Sequence, residues 1–451
     1  MRIAQFCLPT LFLCLLVTDD ASGRDWRNWR GPNHDGSVTA TGLPTSFDQE
    51  QGVRWMTELP GPGASTPIVV GDQIFLTVVE PEAGELLAIC IDRTDGSVVW
   101  EAQVGSGYRP AGKGEATSLH NRSNYASCSA VSDGERVVFL FGNADMAAFD
   151  LEGKRLWSRN LQKDLGDFCF QWTFSASPTL WEGKLFLPVL QRNESVGGIG
   201  ETGEPSYLLA LDPKTGKTLY QVERPSDANK ESLESYATAT PYIGPDGRKA
   251  LLIVGGDIVS GHDPETGREL WRWGTWNEGH REQWWRVVPS VVVGGGHALV
   301  CAPKRAPAYA VKLGGSGTLD PSGVAWKSEG ARNPVSSDVP TPLYYDGDFF
   351  VLSDVREALS RVDAETGVVE WTLDMPGKEP WRASPTGADG KVYCMNHTGH
   401  VVVVDAAKGT ILHEAQMGEE DAARVRASIV VSDGCLFIRT ALRLYCIGGA
   451  K

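Results

Sequence analysis

The sequence predicts an all-β fold: an eight-bladed β-propeller of four-stranded antiparallel blades, closed by its own N-terminal strand. Three observations predict it. A phrase made of a strand ending in Asp, a Thr-Gly turn and a strand carrying an aromatic recurs along the chain, most fully as Ala210-Leu211-Asp212-Pro213-Lys214-Thr215-Gly216-Lys217-Thr218-Leu219-Tyr220. A Ser or Thr, often followed by Pro, opens each of eight equivalent units. The last unit lacks a fourth strand, while a spare strand stands near the N-terminus.

The phrase has a physical logic. Asp and Thr bond the local backbone, Gly supplies positive φ, and the aromatic two residues into the next strand returns to the packed face. Further copies run Asp92…Gly96…Trp100, Asp150…Gly153…Trp157, Asp263…Gly267…Trp271 and Asp363…Gly367…Trp371, with a worn one at Asp405…Gly409…His413. With Trp55 and Trp326 these aromatics are regular and spread round the ring. That suits wedges between radiating sheets rather than one stacking platform.

In order, residues 1–23 read as a secretory signal: Arg2, an apolar run from Ile3 to Val17, and Ala21-Ser22-Gly23 for cleavage. Cys14 follows Leu13 rather than a small residue, which argues against lipoprotein processing. Residues 24–51 form an irregular extension containing Trp26 and Trp29. The propeller covers 52–448, in units of about 45–60 residues. Its units open at Thr66, Ser129, Ser177, Thr240, Ser290, Thr341, Ser384 and Ser428. The fifth replaces its Asp…Thr-Gly with Gly314-Gly315-Ser316-Gly317, and the eighth stops near Cys446. Residues 52–59 complete it, which removes two open sheet edges.

Composition narrows the partners. Net charge is −15, from 42 Lys+Arg against 57 Asp+Glu, so neither nucleic acid nor a polybasic membrane contact is expected. No stretch beyond the leader is long and apolar enough to span a bilayer, so the cleaved chain is not expected to be an integral membrane protein. Removing Cys7 and Cys14 with the leader leaves an odd number of cysteines without Cys-x-x-Cys, which supports neither a disulfide framework nor a cysteine metal site. Buried thiols and a Cys435–Cys446 bridge remain the alternatives.

Innermost strands start beside the axis, so the eight opening hydroxyls are expected to line the channel. They suit either a polar pore for a small ligand or a local partner for backbone groups left free there. The segments preceding them should rim the mouth. Those segments carry Arg122, Trp172, Tyr236, Trp285, Arg286, Trp381, Arg382 and Arg426. Aromatics beside arginines in a concavity hold a planar anion by stacking and forked hydrogen bonds. Mouth carboxylates include Glu115, Asp167, Glu234, Glu282, Asp338 and Glu379. No metal site is visible; His397 with His400, and His280 between Glu278 and Glu282, are the weak candidates.

The Ala-Leu-Asp-Pro-x-Thr-Gly…Trp phrase resembles the pyrroloquinoline-quinone (PQQ) repeat. That repeat builds quinoprotein dehydrogenases and non-enzymatic propellers such as BamB, a subunit of the outer-membrane β-barrel assembly machinery. Trp26…Trp29-Arg30-Gly31-Pro32-Asn33…Asp35-Gly36 and His120–Ser127 are similar to cassettes on secreted bacterial PQQ-like propellers. The resemblance implies a periplasmic or cell-envelope protein. Its first functional reading is a non-catalytic binding or assembly scaffold that meets a protein partner or a small ligand at the mouth. The alternative is a quinoprotein alcohol or sugar dehydrogenase using PQQ with calcium. Trp172, Trp285 or Trp381 would then stack the quinone, and Arg286, Arg382 or Arg426 would hold its carboxylates. Adjacent cysteines and a dehydrogenase-like carboxylate motif are missing, so no catalytic residue and no firm cofactor is assigned. Polysaccharide binding at the aromatic mouth is the third reading.

Overall fold

The computed structural model describes residues 23–107, 124–198, 200–274, 276–330, 332–418 and 424–448. The expected leader therefore lies outside the described residues, apart from Gly23.

Eight antiparallel sheets form. Blade one consists of Ile68–Val70, Gln73–Glu80, Glu85–Asp92 and Val98–Ser106, each strand paired to the next. Blades two to seven repeat this plan over 131–160, 179–223, 240–273, 292–327, 343–374 and 386–416. Blade eight takes Val430–Ser432, Cys435–Arg439 and Arg443–Gly448 from the C-terminal end. Its outer strand is Val53–Glu58, with Met56 opposite Tyr445 and Glu58 opposite Arg443. The N-terminal strand thus closes the ring.

Burial follows position in the blade. Middle strands such as Tyr207–Leu211 are wholly buried, because sheets cover both their faces. Outer strands such as Thr218–Glu223 alternate between exposed and half-buried. The turn logic holds at Asp212, whose carboxylate accepts from Lys214 N at 2.9 Å and from Thr215 Oγ1 at 2.8 Å, while Gly216 has φ 69°.

The aromatics lie between blades. Trp55, Trp100, Trp157, Trp326 and Trp371 each donate the indole N–H to a backbone carbonyl of the next blade, at 2.9–3.2 Å. The Tyr220 hydroxyl does the same to Pro264 O at 2.9 Å. Each ring covers the glycine of the next blade's turn. A Cβ at Gly96, Gly153, Gly216, Gly267, Gly367 or Gly409 would stand 2.5–2.7 Å from that ring.

Blade four departs from four strands. Blade five lacks the docking turn for Trp271, and its Gly317–Thr318 instead pairs in parallel with the outer strand of blade four, Trp271 opposite Gly317. His413 also meets a substitute, packing at 5.4 Å on Phe47, just ahead of blade eight's N-terminal strand.

Candidate functional site

The inner strands converge on a ring of hydroxyls. Seven side-chain oxygens accept the backbone N–H of a counterpart in an adjacent blade: Thr66 from Ser428, Ser129 from Thr66, Ser177 from Ser129, Thr238 from Ser177, Ser290 from Thr238, Thr341 from Ser290 and Ser384 from Thr341, all at 2.8–3.0 Å. Blade four enters this ring through Thr238 and not through the expected Thr240. The Thr-Pro pair points to Thr240, but that residue lies two positions further along the strand. Its hydroxyl bonds Val291 O at 2.8 Å, as those of Thr179 and Thr386 bond the matching carbonyls in their neighbours.

Residues 24–38 cross the lower end of the channel as a strap. Trp26 exchanges backbone bonds with Val69 of blade one, and Arg27 O accepts from Ser132 N of blade two. On the far side, Asp35 O and Gly36 O accept from Tyr344 N of blade six and Gly387 N of blade seven. Buried Arg30 fixes the crossing, donating to Pro342 O at 2.9 Å and to Pro385 O and Asp35 O at 3.0 Å. Its pKa falls to about 10, because burial outweighs the nearby Asp35 charge. Asn28, Trp29, Arg30 and His34 share a small space with Thr238, Thr240 and Ser290 just below the ring.

Above the strap lies a cavity of about 200 Å³. Trp29 borders it together with Thr66, Ser129, Ser177, Thr238 and Ser384 of the ring. Trp172, Tyr236, Arg286, Arg382 and Arg426 form its upper wall. Five of the expected mouth residues are therefore brought together. Trp285 instead packs half-buried against the core of blades four and five, its N–H on Ser232 Oγ at 2.9 Å. Trp381 is fully buried between blades six and seven with its ring 5.7 Å from His400, so it cannot face a guest. Arg122 lies outside the described residues.

A charged layer backs this wall. Arg286 forms a two-pronged pair with Asp338 at 2.9 and 3.0 Å, and Arg382 reaches Asp354 at 3.1 Å. Burial alone would raise Asp338, but the Arg286 bonds hold it below the usual carboxylate range. Burial, then the Asp338 charge, raises Asp354. Glu234 is fully buried, accepts from Tyr236 Oη at 2.5 Å and pairs with Arg192, yet burial pushes it up to about 7. Trp172 is positioned by Tyr236 Oη on its N–H and by Glu231 on its indole N–H, both at 3.3 Å.

No Asp or Glu lines the cavity among the described residues. Nor do the described residues hold a group of three or more His, Cys, Asp or Glu placed for a metal. His280 pairs with Asp257 and His400 with Glu414, both at 3.0 Å. The seven described cysteines are buried free thiols, Cys435 and Cys446 included. Guanidinium and aromatic groups suit the anionic, planar half of a calcium–quinone pair. Calcium sites take several oxygen ligands, commonly carboxylates among them, and hydroxyl oxidation needs a carboxylate base; among the described residues this cavity offers hydroxyls and no carboxylate. Among the described residues the donor set suits the anionic half of the pair and does not complete the calcium half.

The fold and the recurring turn define the class: an eight-bladed propeller of PQQ-type repeats. The chain belongs to the family described as outer membrane protein assembly factor BamB, whose model matches residues 37–193 and 317–449. Among curated proteins it is similar to polyvinylalcohol dehydrogenase from Pseudomonas sp, 26% identical in a 249-residue alignment that covers 49% of this chain and 35% of that one. The enzyme of the same name from Sphingopyxis sp. (strain 113P3) is 24% identical, over 56% of this chain and 40% of the other. The chain thus matches well under half the length of these relatives. Two solved structures share the fold. Quinohemoprotein alcohol dehydrogenase from Comamonas testosteroni aligns over 96% of this chain and 82% of its own, with TM-score 0.64 and 12% identity. BamB from Moraxella catarrhalis aligns over 81% and 95%, with TM-score 0.54 and 15% identity.

Proposed function

We propose that the chain is a non-catalytic binding or assembly scaffold of the cell envelope, secreted across the cytoplasmic membrane. Its arginine- and aromatic-lined mouth receives a protein segment or small ligand. The observation that carries this reading is a cavity lined by no carboxylate among the described residues, whose arginines 286 and 382 are already paired from behind. A family model described by an assembly factor supports it. Among the described residues no helix is long and apolar enough to cross a membrane.

The second reading is a PQQ- and calcium-dependent dehydrogenase, favoured by the two polyvinylalcohol dehydrogenase matches. In it Trp172 and Arg286, Arg382 and Arg426 would contact the quinone. Titrating the protein with pyrroloquinoline quinone, with and without calcium, separates the two through tryptophan fluorescence. The scaffold reading expects no calcium-dependent saturation. One-to-one, calcium-dependent quenching at micromolar quinone would overturn it.

A further inference from the structure

We propose that the axial cavity is a receptor for a carboxylate, held by the hydroxyl ring and the wall arginines above Trp29. This rests on the binding reading above and gives the ligand a chemistry.

The argument starts from protons. A serine or threonine hydroxyl has one proton to donate and lone pairs to accept with. At Thr66, Ser129, Ser177, Thr238 and Ser384 the oxygen already accepts a backbone N–H, which fixes the lone-pair side. The proton remains, and the described residues supply it with no acceptor. Arg286, Arg382 and Arg426 add N–H donors to the same space. Of the other hydroxyls on the lining, Tyr236 gives its proton to Glu234, Ser127 to Asn124 O and Thr173 to Gly142 O. With no Asp, Glu, Asn or Gln among the described lining residues, the side chains offer more donors than acceptors. Such a space selects a guest rich in acceptors, and an anion makes the stronger, charge-assisted bonds.

Charge and size narrow the guest. Asp338 and Asp354 answer Arg286 and Arg382 from behind the wall, so the field left for a guest is small. A monoanionic carboxylate suits that balance better than a phosphate dianion. The volume of about 200 Å³ sits below the ~300–1,000 Å³ of pockets for drug-sized ligands. The strap shuts the lower end, and Trp29, Trp172, Val288 and Val339 give the guest's body an apolar surround. A short acid fits, either free or as the C-terminal carboxylate of a peptide entering from the mouth.

The test compares acids with their neutral amides on the full chain in constant chloride, read by tryptophan fluorescence and by competition. The free-acid probe is isobutyrate against isobutyramide. The peptide probe is N-acetyl-Gly-Val against its C-terminal amide. Saturable binding of either acid, with its amide at least about tenfold weaker, is the expected result. Saturation by the peptide alone supports the proposal and assigns the peptide source. Arg426→Gln should weaken the acid by a similar factor while the thermal midpoint stays put. The acid–amide comparison needs no variant, so a misfolded Arg426→Gln does not protect the idea. Equal binding of acid and amide, or no saturation by either acid, overturns the carboxylate receptor and leaves the scaffold reading standing. Calcium-dependent quinone saturation that the acids do not displace would defeat the scaffold reading and this proposal with it.

Discussion

The indole N–H of Trp100 bonds Leu151 O at 3.0 Å, and its ring lies where any Cβ on Gly153 of the same turn would go, 2.7 Å from Trp100 Cγ. The turn of one blade is the socket for the aromatic of its neighbour. This explains why Asp…Gly and Trp recur as one phrase. Gly153 also sits at φ 88°, which an L side chain adopts only under strain. Gly153→Ala should therefore cost about 2–4 kcal/mol. Chemical denaturation would check it, with Gly183→Ala, whose Cβ meets nothing within 4 Å, as the milder control.

The hydroxyl ring makes a second prediction. Ser428 N donates to Thr66 Oγ1 at 3.0 Å, joining the last blade to the first. Thr66→Val keeps the shape and removes the acceptor, leaving a buried N–H unmet at a cost of about 1–3 kcal/mol. Thr66→Ser retains the oxygen and should lose much less. Equal losses from both would show that packing, not the hydrogen bond, sets the cost.

A third prediction concerns the strap. A Cβ on Gly36 would collide with the guanidinium of Arg30, and Gly36 has φ 90°. Gly36→Ala should loosen residues 24–38 without altering a propeller strand. Limited proteolysis should then cut near Arg27 or Arg30 at least about tenfold faster, while far-ultraviolet circular dichroism stays unchanged. Unchanged cleavage would show that the strap is not fixed through Arg30.

Glu234 gives a pH signature. Its pKa rises from the ordinary 4.5 to about 7 on folding, through burial. The folded state then holds the proton more tightly than the unfolded state. This contribution to stability is fully present below about pH 4.5 and is lost as pH rises through 7. Its ceiling is about 3 kcal/mol. His262 and His34, both pushed down to about 4 by burial, contribute with the opposite sign over an overlapping range, so the raw profile mixes them with Glu234. The difference profile between the protein and Glu234→Gln isolates the Glu234 contribution: the gap should widen in favour of the variant between pH 5 and 7. A pH-independent difference would contradict the assigned shift.

The blade plan was legible because it rests on local chemistry. Asp212, Thr215 and Gly216 shape a turn by themselves, and Trp100 or Trp157 two residues into the next strand marks a packed face. The site was legible only in part, because it is made by residues far apart in sequence. Thr240 carried the stronger local signal through Pro241, yet strand register put Thr238 in the ring. Trp381 read like Trp172 as an aromatic before an inner strand, but it turns into the core between blades. Arg30 offered no sign in its neighbourhood that it would bond Pro342 and Pro385 across more than 300 residues. The pairing of Arg286 with Asp338 and of Arg382 with Asp354 was equally hidden, since the first links the entry segments of two blades and the second links an entry segment to the turn after Ser353 of the neighbouring blade.

The most direct test of the central claim is catalytic. The full chain, incubated with pyrroloquinoline quinone and calcium, is assayed for dye-linked oxidation of ethanol and of polyvinyl alcohol. A cavity with no carboxylate among its described lining residues predicts no rate above the protein-free control at any quinone concentration. A rate that rises with protein, saturates with quinone and disappears when calcium is chelated would contradict the account.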